Sequence, residues 1–156
     1  MLEPGSSAPT FSLPSNDGTT VSLSSYRNQY VVVYFFPRAD TPGCTTEACE
    51  FRDTVDVFMK HDIAVIGISD DRVSDLDAFA NEYDLPFPLL SDDGTVASAY
   101  DSYGEKNMFG NTFDGVFRNT YIIDPMGTIA FAYEGVSPTN HVESIITDLD
   151  AAGVIS

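Results

Sequence analysis

The run Tyr30-Val-Val-Val-Tyr-Phe-Phe36, closed by Pro37, constrains this chain more than any other segment. β-branched and aromatic residues with no polar alternation read as a central strand buried on both faces, the kind found where helices cover a parallel sheet. Proline cannot donate to a strand ladder, so Pro37 ends it. Past the loop Arg38 to Gly43 the period becomes helical. Cys44, Ala48, Phe51, Val55 and Phe58 fall three or four apart on one face, while Cys49, Arg52, Asp53, Asp56 and Lys60 occupy much of the rest. Ile63-Ala-Val-Ile-Gly-Ile68 is a second buried strand, which makes a βαβ unit with parallel strands and a right-handed crossover.

Weaker signals fill in the remainder. Phe11–Leu13 and Thr20–Leu23 flank Asn16-Asp17-Gly18, a hairpin turn. Ser74 reads as the N-cap of a helix lined by Leu76, Phe79, Ala80 and Tyr83, and a shorter helix follows with Val96, Ala99 and Tyr100 inside. Residues 117–123 and 128–133 are strands joined through Asp124-Pro-Met-Gly127. Ser137 caps a last helix, with Pro138 at its first position and Val142, Ile145, Ile146 and Leu149 inward. The pattern predicts an α/β three-layer sandwich, a central mixed sheet flanked by helices with an N-terminal β-hairpin extension. At 156 residues and 43% hydrophobic, with no repeat or linker, one domain over 1–156 is expected.

Charge narrows the partners. Seven Lys and Arg against 24 Asp and Glu leave a net charge of -17. Such a surface repels phosphate backbones and anionic lipid, so neither nucleic-acid nor membrane binding is expected. The acid is spread along the chain and lysine occurs only at Lys60 and Lys106, which points to a halophilic surface whose self-repulsion salt screens. No apolar stretch approaches the roughly 18 residues of a spanning helix, and the N-terminus lacks a signal-like apolar core, so a cytoplasmic location is expected. His61 and His141 fit no triad or metal spacing and read as surface residues. No metal or cofactor site is indicated.

Both cysteines, Cys44 and Cys49, lie in the segment that follows the central strand. Cys44 falls in the first turn of a helix, where free N–H groups and the positive end of the dipole favour a thiolate. Thr41 and Gly43 precede it, one a hydroxyl and the other open to close approach of a small ligand. Five residues along a helix separate Cα atoms by roughly 8–9 Å, more than the roughly 7 Å a disulfide tolerates, so any bond between the two needs the helix to unwind. An inert core cysteine, a thiol–disulfide oxidoreductase and a redox-triggered holdase stand beside a reactive thiolate as readings of this segment. The absence of a CxxC pair weighs against the oxidoreductase.

Pro37-x-x-x-Thr41-x-x-Cys44 is similar to the active-site signature of peroxiredoxins, and Thr-Pro-Gly-Cys-Thr-Thr-Glu-Ala-Cys resembles their Q-type (bacterioferritin comigratory protein) subfamily. Leu85–Asp92, Tyr103–Lys106 and Arg118–Asp124 resemble further segments in family order. The resemblance implies a thioredoxin-like fold and thiol-dependent reduction of hydroperoxides without a cofactor. It assigns Cys44 as the peroxidatic and Cys49 as the resolving cysteine, joined in an intramolecular disulfide that a thioredoxin-like protein reduces. Pro37, Thr41 and Arg118 match other active-site positions, and Glu47 matches a glutamate that holds the arginine. Arg38 stands where the family more often has lysine. A monomer is expected.

Overall fold

The computed structural model describes residues 1–155, so Ser156, the end of the expected domain, lies outside the described residues. The elements run β1 (Ser12–Pro14), β2 (Thr20–Ser22), β3 (Tyr30–Phe35), α1 (Pro42–Lys60), β4 (Ile63–Ser69), α2 (Val73–Glu82), β5 (Leu89–Ser91), α3 (Thr95–Ala99), β6 (Tyr103–Met108), β7 (Asn111–Val116), β8 (Thr120–Ile123), β9 (Ile129–Tyr133) and α4 (His141–Ala151). A five-stranded sheet of order β5-β4-β3-β8-β9 has the segment 30–35 at its centre. It is mixed: β3, β4 and β5 pair in parallel, with Tyr30 opposite Ile63, while β8 and β9 pair antiparallel, with Val31 opposite Ile123.

Strand periodicity sends alternate β3 side chains to two cores. Val32, Tyr34 and Phe36 pack with Cys44, Ala48, Phe51 and Phe58 of α1 and with buried residues of α2 and α4. Val31, Val33 and Phe35 join Ala97, Tyr100, Tyr121, Phe11 and Leu23 on the other side. Tyr34 lies against Gly67 of β4, where an added Cβ would stand 2.9 Å from its ring, and it stacks on Phe51 at 4.6 Å. The N-terminal hairpin β1–β2 forms as expected, and Asn16 ties it to Leu89 of β5 through its backbone N–H and side-chain oxygen.

Several boundaries differ from the sequence pattern. β8 starts at Thr120 rather than at residue 117, because Asn119 N–H bonds Phe117 O (3.0 Å) in a tight turn that takes Arg118 off the ladder. The cap of α2 is Arg72, not Ser74, with Asp75 in the first turn accepting from Arg72 Nε. α4 opens at His141, not beside Ser137, because Asn140 is left-handed (φ 64) and its N–H bonds the Glu50 carboxylate. The buried positions are Ala97 in α3 and Tyr100 just past its end, while Ala99 faces out. The strand β5 and the separate hairpin β6–β7 have no counterpart in the sequence reading.

His141 is the larger correction. It is buried, not a surface residue: Nε2 pairs with Thr120 Oγ1 at 2.8 Å, and its ring meets Tyr133 and Phe51 edge-on. His61 is half-buried, with Nδ1 3.0 Å from Val57 O. Burial, and then the Arg118 charge, lower the His141 pKa from 6.5 to about 4. A depressed imidazole contributes stability that is full above the ordinary value and lost as pH falls toward the native one. His141→Gln, which retains a partner for Thr120, should remove an acid-side loss of about 2 kcal/mol between about pH 7.5 and pH 4.5. Urea denaturation of both proteins at the two pH values checks this.

Candidate active site

The site begins where β3 gives out. The loop Arg38 to Thr41 is pinned by Asp71 just past β4, whose carboxylate accepts from Ala39 N–H (2.8 Å), Arg38 Nη1 (3.2 Å) and Ser69 Oγ (2.7 Å). Thr41 is the N-cap residue of α1, yet its hydroxyl donates to Arg38 O (2.8 Å) and leaves the helix end without a side-chain cap. Pro42 has no N–H and Thr45 N–H bonds Thr41 O, so the N–H groups of Gly43 and Cys44 are without helical carbonyls. Cys44 is only 1% exposed.

Arg118 joins this helix end to the strand side of the fold. Its Nη1 donates to Glu47 Oε1 at 2.8 Å and its Nη2 to Cys44 Sγ at 3.4 Å. The guanidinium comes close because residue 43 is glycine: a Cβ there would sit 3.1 Å from Arg118 Nη2. Glu47 is fully buried, and its second oxygen, Oε2, has no partner among the described residues. Burial raises its pKa from 4.5 to about 7 against the pull of Arg118.

A cleft of about 510 Å³ opens beside Arg118, lined also by Pro37, Lys106, Phe117 and Glu134. Lys106 Nζ lies 5.9 Å from the Phe117 ring centre. Arg118 thus faces the cleft on one side and the buried thiol on the other. Cys49 is half-buried on the same unbroken helix, and both cysteines are free.

Cys44, Glu47 and Arg118 therefore converge, Pro37 lines the cleft beside Arg118 and Thr41 stands at the N-cap of the same helix, while Cys49 stays a turn and more away. Sequence reasoning did not find Tyr34, buried beneath this helix face, or the anchoring role of Asp71. A tyrosine in an apolar strand and an aspartate in an acidic chain carry no signal of their own.

A thiol at an uncapped helix end, buttressed by an arginine on a mixed five-stranded sheet, defines a thioredoxin-like thiol peroxidase. Residues 4–132 match the AhpC/TSA family, and the chain belongs to it as a peroxiredoxin. Bacterial relatives include peroxiredoxin Bcp of Escherichia coli K12, 41% identical over 146 residues (93% of this chain, 94% of the relative), and peroxiredoxin Bcp of Bacillus subtilis, 39% identical over 149 residues (95% of each chain). Among solved structures, a cysteine mutant of Xylella fastidiosa PrxQ superposes with a TM-score of 0.92 at 32% identity, covering 98% of each chain. Xanthomonas campestris bacterioferritin comigratory protein, studied for its alkyl peroxide reduction, gives a TM-score of 0.86 at 32% identity over 91% of each chain. Within the family the chain groups with these Bcp and PrxQ peroxiredoxins.

The buried carboxylate has a thermodynamic signature. A native pKa above the ordinary one means that Glu47 contributes stability in full below about pH 4.5, and that this is lost as pH rises through about 7. Glu47→Gln should abolish an alkaline-side loss of about 2–3 kcal/mol, read by urea denaturation at about pH 5 and pH 8.

Proposed function

We propose that Cys44 attacks the peroxide and that Cys49 resolves the product. The observation that carries this reading is the Arg118 guanidinium shared between Cys44 Sγ and Glu47 at an uncapped helix end. The Cys44 thiolate takes the near peroxide oxygen: an S–O bond forms, the O–O bond breaks, and the far oxygen leaves as hydroxide or alkoxide and takes up a proton. Charge spreads over both oxygens in that transition state, so donors fixed beforehand stabilise it. The N–H groups of Gly43 and Cys44 and Arg118 are those donors, and the Thr41 hydroxyl joins them when its proton turns from Arg38 O to the peroxide. Pro37 shapes the wall, and Glu47 holds Arg118 in place.

The sulfenic acid on Cys44 then condenses with the Cys49 thiol, releasing water and forming a disulfide. The first turns of α1 unwind for this step, since the intact helix keeps the two apart. A thioredoxin-like dithiol reduces the disulfide by exchange. The substrate class is organic hydroperoxides and hydrogen peroxide, in keeping with the alkyl peroxide reduction described for the Xanthomonas campestris relative. The protein works as a single-domain monomer in a salt-rich cytoplasm. The net charge of -17 supports that setting, and no helix among the described residues is long and apolar enough to cross a membrane.

Cys44→Ser should lose all peroxidase turnover, whereas Cys49→Ser should consume one equivalent of peroxide and stop as a trappable sulfenic acid. Full thioredoxin-coupled turnover by Cys49→Ser would remove its resolving role. Arg118→Ala should slow peroxide reduction about 10²–10³-fold, with Arg118→Lys recovering only part because an ammonium lacks the planar fork. Stopped-flow kinetics of the reduced variants reads both. Amide exchange of residues 44–50 should be slow in the reduced protein and fast in the oxidised one, while strands 30–35 and 63–69 stay protected in both.

A further inference from the structure

Two buried polar atoms beside the site lack a hydrogen-bond partner among the described residues: Tyr34 Oη and Glu47 Oε2. One is a donor and the other an acceptor, and each left unmade carries its own desolvation penalty. The Tyr34 side chain belongs to the core cluster that holds Cys44, Ala48 and Phe51, the buried face of α1 that also carries Glu47. Phe51, on which the Tyr34 ring stacks at 4.6 Å, is one helical turn beyond Glu47. Helical side chains lean toward the N-terminus, so Glu47 covers the ground just ahead of Phe51, beside the Tyr34 ring on which Phe51 stacks. After burial itself, the Glu47 charge is the strongest influence on the Tyr34 hydroxyl, and Cys44 comes next. The ring is fixed by Gly67, Phe36, Phe51 and Phe87.

We propose that Tyr34 is a positioning residue for the peroxide step: its hydroxyl donates through one bridging water to Glu47 Oε2 and holds that carboxylate toward Arg118. Arg118 takes one carboxylate oxygen and Tyr34 the other, so the guanidinium on Cys44 is braced from β3 as well as from α1. This deepens the reading of Cys44 as the attacking thiol and rests on it. The charged and titratable groups facing Glu47 are Arg118 from the loop before β8 and Glu50 on α1, and those facing Tyr34 are Glu47, Cys44 and Cys49 on α1 and Arg118. His141 at the start of α4 feels the Arg118 charge.

A donor to the ionised carboxylate favours ionisation, and its removal lets Glu47 hold its proton to higher pH. The test is stopped-flow reduction of tert-butyl hydroperoxide by the reduced wild type, Tyr34→Phe, Glu47→Gln and the double variant, with Cys44→Ser as reference. Tyr34→Phe keeps the stacked ring, and circular dichroism verifies its fold. Its rate should fall about tenfold at about pH 6.5 and less than about threefold at about pH 9, a shift of the acid limb by about one unit. In the Glu47→Gln background the same substitution should have no pH-dependent effect. An equal loss at both pH values, an unmoved limb, or a shift that persists with Gln at position 47 would overturn the proposal. Activity retained by Cys44→Ser would instead sink the underlying assignment of the thiol.

Discussion

The site depends on one ion pair, Arg118 with the buried Glu47. An ionised carboxylate with no exposed surface is tolerated only where a cation meets it, and removing one partner of such a pair costs about 3–5 kcal/mol. The pair is also the mechanical joint of the molecule, because its members arrive from opposite ends of the chain topology. Glu47 comes from the helix after β3, and Arg118 from the tight turn before β8. Phe35 N–H bonds Asn119 O (2.8 Å) and Val136 N–H bonds Arg118 O (2.9 Å), so the turn that aims the guanidinium is stitched to the central strand and to the segment before α4. Chemistry at Cys44 is therefore coupled to correct pairing of the whole central sheet.

What the sequence disclosed tracks how each element is stabilised. β3, β4 and α1 are held by burial, and burial writes itself into the spacing of apolar residues. The hairpin β6–β7 is polar and largely exposed, with Phe109 at 96% exposure at its tip, so no apolar period announces it. Helix starts failed where caps are tertiary: α4 begins at a left-handed Asn140 whose N–H is bonded by Glu50, a contact across 90 residues. The same holds for the site. Cys44 at a helix start was readable locally, and Glu47 and Arg118 only through family resemblance. Tyr34 and His141 were not readable as site neighbours at all, since their meaning lies in what the fold sets beside them.

Beneath an acidic exterior the interior holds two ionisable groups shifted in opposite senses. Glu47 resists losing its proton and His141 resists gaining one, and the pH ranges over which each acts overlap. The changes in stability that they produce with pH run in opposite directions and nearly offset each other in mildly acidic solution, which leaves the carboxylate surface to dominate the response to acid. Lys106, Arg118 and Arg38 cluster around the reactive end of the fold in a chain that has only seven Lys and Arg.

Gly67 gives this arrangement an origin far from the chemistry in sequence. Its missing side chain is a mould for the Tyr34 ring: Leu89 and Tyr34 fill the space that a Cβ would need, at 2.8 and 2.9 Å. A methyl group there would leave the strand ladder its hydrogen bonds, yet lift the aromatic ring toward α1. The helix that carries the reacting sulfur thus rests, through Phe51, on a ring seated against a single hydrogen atom of the neighbouring strand.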